Sequence, residues 1–123
     1  MRITELFDNG EFVVTAEVGP PKGIHIGGMV EEAKEYLAGV HFVNVTDNQS
    51  SVMRLGSLAT CKMLKDAGLN PIFQLTCRDR NRIALQSDLL SAAALGIDNI
   101  LCLTGDHTKL GDHPQAKPVF DMD

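Results

Sequence analysis

Residues 72–76 read Ile72-Phe73-Gln74-Leu75-Thr76, with Pro71 just ahead of them. The run is short, apolar and rich in strand-forming side chains, and a proline at its first position costs the strand little. Alternate residues of a strand face the same side. One face of this run carries Phe73 and Leu75, and the other carries Gln74 and Thr76. A parallel strand in an open sheet is covered by helices on both faces and is apolar on both. One apolar face and one polar face fit the wall of a barrel instead, with helices outside and a ligand-facing interior near the C-terminal ends of the strands.

Three similar runs lie to either side: Phe12 to Ala16, Phe42 to Thr46 and Ile100 to Thr104. Val43 and Val45 alternate with Asn44 and Thr46 in the same manner. In the fourth run Cys102 and Thr104 are assigned to the polar row, and Leu101 and Leu103 to the helix side. The first run is expected to contribute only Glu17. The strand ends Glu17, Thr46, Thr76 and Thr104 recur at intervals of 29, 30 and 28 residues. Between the runs, apolar residues recur at helical spacing. These are Met29, Val30, Ala33, Tyr36 and Leu37; then Leu55, Leu58, Ala59, Met63 and Leu64; then Ile83, Ala84, Leu89, Leu90, Ala93 and Ala94. Gly39, Gly68 and Gly96 follow the three stretches as expected left-handed caps. The order βαβαβαβ demands a parallel sheet with right-handed crossovers. The expected fold is α/β: a (β/α)8 TIM barrel, of which residues 1–123 supply roughly the first four β/α units as the N-terminal part of one domain. A whole barrel takes about 250 residues. Half of one exposes two strand edges, so a homo-oligomer or a subunit of a complex is expected.

The composition narrows the function. Of 123 residues, 44% are hydrophobic and 22% charged, which is globular rather than disordered. A net charge of −5 disfavours sequence-independent nucleic-acid binding, which needs a basic surface. No apolar stretch reaches the roughly 20 residues of a membrane span, and Met1 to Gly10 lacks the pattern of a signal peptide. Three cysteines, Cys61, Cys77 and Cys102, make a poor disulfide framework and suggest a reducing cytoplasm.

Some residues could carry chemistry. Glu17 ends the first strand, ahead of Val18, Gly19 and the stiff pair Pro20-Pro21. A partly buried carboxylate at a barrel mouth can act as an acid near neutrality, whereas an ordinary strand end would leave it solvated. Thr104-Gly105-Asp106 follows the fourth strand, where Gly105 permits close approach of a planar ligand and Asp106 would face Glu17. Cys77-Arg78-Asp79-Arg80-Asn81-Arg82 reads either as a phosphate site at a helix start or as a charged turn with Asp79 or Asn81 as N-cap. The repeated Gly-Asp-His, at Gly105–His107 and Gly111–His113, matches no standard zinc spacing, and no metal is expected. A phosphate loop and a Rossmann glycine pattern are both missing.

The run Thr15-Ala16-Glu17-Val18-Gly19-Pro20-Pro21-Lys22 resembles the Glu-X-X-Pro-Pro signature of methylenetetrahydrofolate reductases. Val43-Asn44-Val45-Thr46, Gln74-Leu75-Thr76-Cys77 and Leu103-Thr104-Gly105-Asp106 resemble that family's second, third and fourth strands, in order and at the right intervals. The resemblance implies a (β/α)8 barrel that binds FAD at its C-terminal face. It implies reduction of 5,10-methylenetetrahydrofolate to 5-methyltetrahydrofolate by hydride from reduced flavin, with NAD(P)H or a protein as electron donor. It assigns Glu17 as general acid, protonating the bridging nitrogen of the folate so that an iminium forms. Asp106, near flavin and folate, would tune both, and Thr46, Gln74, Thr104, Gly105 and Asp106 would meet the cofactor. Val18 and Gly19 stand where the family often has two phenylalanines, Gln74 where many members have His, Thr104 where many have Arg, and Asp47-Asn48 where Tyr-Gly is common. Those departures fall at the cofactor, so a non-catalytic flavin- or folate-binding subunit of a methyl-transfer complex is the competing expectation.

Overall fold

The structure is a computed structural model that describes residues 1–123. Four strands form one sheet: β1 (Thr15–Val18), β2 (Phe42–Val45), β3 (Pro71–Thr76) and β4 (Ile100–Leu103). They are parallel and lie in chain order. A short helix α1 (Ile3–Asp8) precedes them, and α2 (Gly27–Tyr36), α3 (Ser57–Asp66) and α4 (Arg82–Ala94) connect them.

One apolar cluster holds the elements together. Val43, Val45, Phe73 and Leu75 of the sheet meet Val30 and Ala33 of α2, Cys61 and Leu64 of α3, and Ala92 of α4. The three connecting helices therefore cover one face of the sheet, as the alternation in β2 and β3 predicts. The other face is mostly polar in its first three strands, with Ile72 as its apolar member. Asn44 Nδ2 donates to Thr15 Oγ1 at 3.3 Å, and Gln74 Nε2 donates to Asn44 Oδ1 at 3.4 Å. This side-chain ladder satisfies polar groups that would otherwise be costly beside a sheet.

The local structure corrects several expectations. β1 starts at Thr15, not Phe12, which is 88% exposed. Thr15 shares the face of Glu17, so β1 contributes two residues to the polar row rather than one. In β4 the expected parity is reversed. Adjacent residues of a parallel pair point the same way, and the register sets Leu103 beside Thr76 and Cys102 beside Leu75. Leu101 and Leu103 therefore join the row of Gln74 and Thr76. Cys102 and Thr104 instead line a groove beside α4, with Leu75, Leu85 and Leu89. Polarity alone had suggested the opposite, and the register decides it.

Gly68 (φ +90) and Gly96 (φ +74) are left-handed caps as expected. After α4, Ile97 N–H donates to Ala92 O at 2.9 Å, and both residues are buried, as in a Schellman close. Gly39 is not left-handed, because α2 ends at Tyr36 with Leu37 as its cap. α1 carries no sequence signal strong enough to predict it. It is held by Asn99, whose Oδ1 accepts from Ile3 N–H at 2.8 Å and whose Nδ2 donates to Met1 O at 3.0 Å.

Candidate active site

Parallel strands deliver their C-terminal ends to one side of the sheet, and the chain after each strand turns there. Glu17 stands on β1, beside Asn44 of β2. Thr46, just past β2, is buried, and its N–H donates to Val18 O. Gln74 and Thr76 project from β3, and Gly105 and Asp106 follow β4. Five of the six candidates, Glu17, Thr46, Gln74, Gly105 and Asp106, line a single cavity of about 180 Å³. The sixth, Thr104, does not: the reversed parity of β4 carries it to the helix side. The volume is below the roughly 300 Å³ at which whole-ligand pockets begin, so the cavity suits one edge of a larger ligand.

The glycine at this mouth is required by its own neighbours. Gly105 has φ +86, a left-handed backbone that side chains strain. A Cβ there would also lie 3.1 Å from Arg78 Nη1 and 3.2 Å from the Thr76 side chain. The sequence links this glycine to a ligand, yet the crowding comes from Thr76 of β3 and from Arg78 just past it.

The two acids are left free. The Glu17 and Asp106 carboxylates accept no hydrogen bond within the chain, and neither enters an ion pair. By contrast the main-chain oxygen of Asp106 accepts from Ser51 Oγ at 2.6 Å and from Arg78 Nη1 at 3.3 Å. The wall also contains a buried hydroxyl, Thr76 Oγ1, without a hydrogen-bond partner in the protein.

Residues after β2 complete the wall, and the sequence hinted at them only through the unusual pair Asp47-Asn48. The Asp47 side chain is fully buried. It accepts from Thr76 N–H at 2.9 Å and from Arg80 Nη1 at 2.6 Å. Arg80 Nε in turn donates to Asp88 of α4 at 2.8 Å. Burial alone would lower the Arg80 pKa, but the hydrogen bond and charge of Asp47 outweigh it and raise it. Asn48, Ser50 and Ser51 all have left-handed backbones, with φ of 45°, 59° and 59°. Such strain costs on the order of 1–3 kcal/mol per residue and gathers at functional sites.

The arginine loop holds no free cation for a phosphate. Arg78 pairs with Asp79 at 2.7 Å, Arg80 with Asp47 and Asp88, and Arg82 with Asp121 at 2.7 Å. The charged-turn reading prevails, with Asn81 as N-cap accepting from Ala84 N–H at 3.0 Å. Burial would raise the Asp79 carboxyl, yet the hydrogen bond and charge of Arg78, with the charge of Arg80, hold it below the usual carboxylate range. The segment after β4 is tied down by Val119 N–H to Arg78 O at 2.7 Å and by Lys22 Nζ to Asp112 at 3.0 Å.

This arrangement offers a proton donor or acceptor at two carboxylates, an amide at Gln74, and hydroxyls at Thr46 and Thr76. Such a set can meet the polar edge of a planar heterocycle. No curated protein matches the chain. Residues 2–123 match the model of the family described as methylenetetrahydrofolate reductase.

Proposed function

The chain belongs to the methylenetetrahydrofolate reductase family, and from that membership we propose that it serves in FAD-dependent reduction of 5,10-methylenetetrahydrofolate to 5-methyltetrahydrofolate. Methylenetetrahydrofolate reductases are TIM barrels and generally flavin-dependent. Four parallel strands in chain order, with helices on one face, fit the first four units of such a barrel. The observation that carries the reading is the meeting of Glu17, Thr46, Gln74, Gly105 and Asp106 around one cavity at the C-terminal ends of the strands.

The residues fit a flavin. Gln74 and Thr46 give polar contacts, Thr76 adds an unpartnered buried hydroxyl, and the turn at Gly105 leaves no side chain in the way. Bound and reduced, FAD supplies the hydride. Glu17, free of internal partners, would donate a proton to the bridging nitrogen of the folate and so open its five-membered ring. Asp106 would tune the flavin potential and folate binding. Thr46, Gln74, Gly105 and Asp106 would hold the cofactor. Thr104 is left out, since its face turns away. The electron donor is NAD(P)H or a partner protein.

The test uses the purified protein with FAD added. A flavin absorption band should appear, and methylenetetrahydrofolate should reoxidise the reduced form. Glu17→Gln should slow that reoxidation about 10²–10⁴-fold, the usual share of general acid catalysis, while flavin reduction by its donor is unchanged. Full folate turnover in Glu17→Gln would remove the acid assignment. Failure to bind any flavin would remove the cofactor assignment.

A further inference from the structure

The buried cation beside the cavity has no part in the chemistry above. Arg78 is 2% exposed and leaves β3 two residues after Thr76. Its guanidinium reaches in three directions. Nη1 donates to Asp106 O at 3.3 Å, Nη2 donates to Asn48 O at 3.4 Å, and Nε and Nη2 grip Asp79 at 2.9 and 2.7 Å. It thus joins the turns that follow β2 and β4 to the turn that follows β3. The turn after β2 is strained at Asn48, whereas the turn after β4 bends at Gly105, which as a glycine bears φ +86 without strain. A strained turn persists only when its surroundings over-determine it. Ser51 Oγ also donates to Asp106 O, so that carbonyl is held from two sides while the Asp106 carboxylate is held by nothing.

We propose that Arg78 is a positioning residue that sets where the Asp106 carboxylate stands in the Glu17 cavity, by pinning the main chain of Asp106 against that of Asn48. A planar guanidinium presents several donors in a fixed fork, which a lysine cannot reproduce. The inference rests on the functional reading above, in which Asp106 faces flavin and folate.

The test compares the full chain, loaded with FAD, as wild type, Arg78→Met, Arg78→Lys, Asp106→Asn and the Arg78→Met/Asp106→Asn double variant. A misplacement of about 1 Å can cost roughly 100-fold, so Arg78→Met should lower kcat for methylenetetrahydrofolate by about ten- to a hundredfold and leave KM within about threefold. Arg78→Lys, which reaches one carbonyl, should recover part of the loss. The double variant should be no slower than Asp106→Asn, because residues acting through one another are not additive. Hydrogen exchange in the ligand-free protein gives an independent reading. Arg78→Met should speed exchange at residues 105–108 and leave α3 unchanged. Wild-type kinetics in Arg78→Met, multiplicative losses in the double variant, or unchanged exchange would each overturn the role. A wild type that binds no FAD would take the functional reading down with it, whereas normal wild-type turnover beside multiplicative losses would remove Arg78 alone.

Discussion

Gly111 shows how one residue can be needed without an unusual backbone. Its φ of −104° is open to any side chain. A Cβ there would lie 1.8 Å from Ser51 O, a backbone atom that cannot swing aside. Ser51 is one of the two donors that hold the Asp106 carbonyl, so a shift at residue 111 is felt at the cavity. Gly111→Ala should destabilise the protein by about 1–3 kcal/mol, the usual cost of overpacking, and should slow folate reduction more than it changes flavin binding. Calorimetry of the ligand-free protein checks the first, and unchanged stability would show that the Ser51 turn is loose. The sequence offered Gly111 only as part of a repeated Gly-Asp-His. Its close approach joins residues 60 positions apart, which no local pattern records. The placement of Glu17 and Asp106 at one mouth was legible because Glu17 lies near the end of β1 and Asp106 in the turn after β4, and strand ends are readable from alternation. Arg78 was visible as a charge but not as a brace, since its partners belong to two other turns.

Helices and strands were legible where their periods were long and clean. α3 and α4 lie where their spacing predicts, and the N-cap of α4 is one of the two residues the sequence offered. Asn81→Ala should cost about 1 kcal/mol, measured as a lowered midpoint in urea, because the Ala84 N–H loses its acceptor. No change would mean that the Arg82–Asp121 pair alone fixes that helix start. β4 was misread because two leucines look like core, yet here they face the open side. α3 carries a further element-level consequence. Burial pushes the Cys61 thiol from 9.0 up to about 12. Native protein at pH 8 should therefore be alkylated at exposed Cys102 and spared at Cys61, with peptide mass spectrometry as the readout. The linked stability has a definite sign. The raised thiol favours the fold fully below pH 9, and that contribution fades as pH rises toward 12. Equal labelling of Cys61 and Cys102 would mean that α3 opens readily.

At the scale of the molecule, the two faces of the sheet are unequal. One is covered by α2, α3 and α4 except at β4, where Cys102 lies exposed in the groove beside α4. On the other, Leu101 and Leu103 are 41% and 36% exposed, and β1 and β4 each have a neighbour on only one side. Leu101 continues an apolar hollow lined by Ile3, Phe7, Val13 and Ile72. Contiguous apolar surface beside unpaired strand edges drives association, since both hydrophobic burial and main-chain pairing are left unmet. The 123-residue chain should thus run above its monomer mass of 13.3 kDa in light scattering at micromolar concentration. Leu101→Lys adds a charge to the open face, outside the Glu17 cavity, and should shift the population toward monomer with a modest fall in melting temperature, because Leu101 is 41% exposed and only partly covered by its own chain. A wild-type chain that stays monomeric and binds no hydrophobic dye would mean that the polar ladder of Thr15, Asn44 and Gln74, rather than the leucines, sets the character of that face.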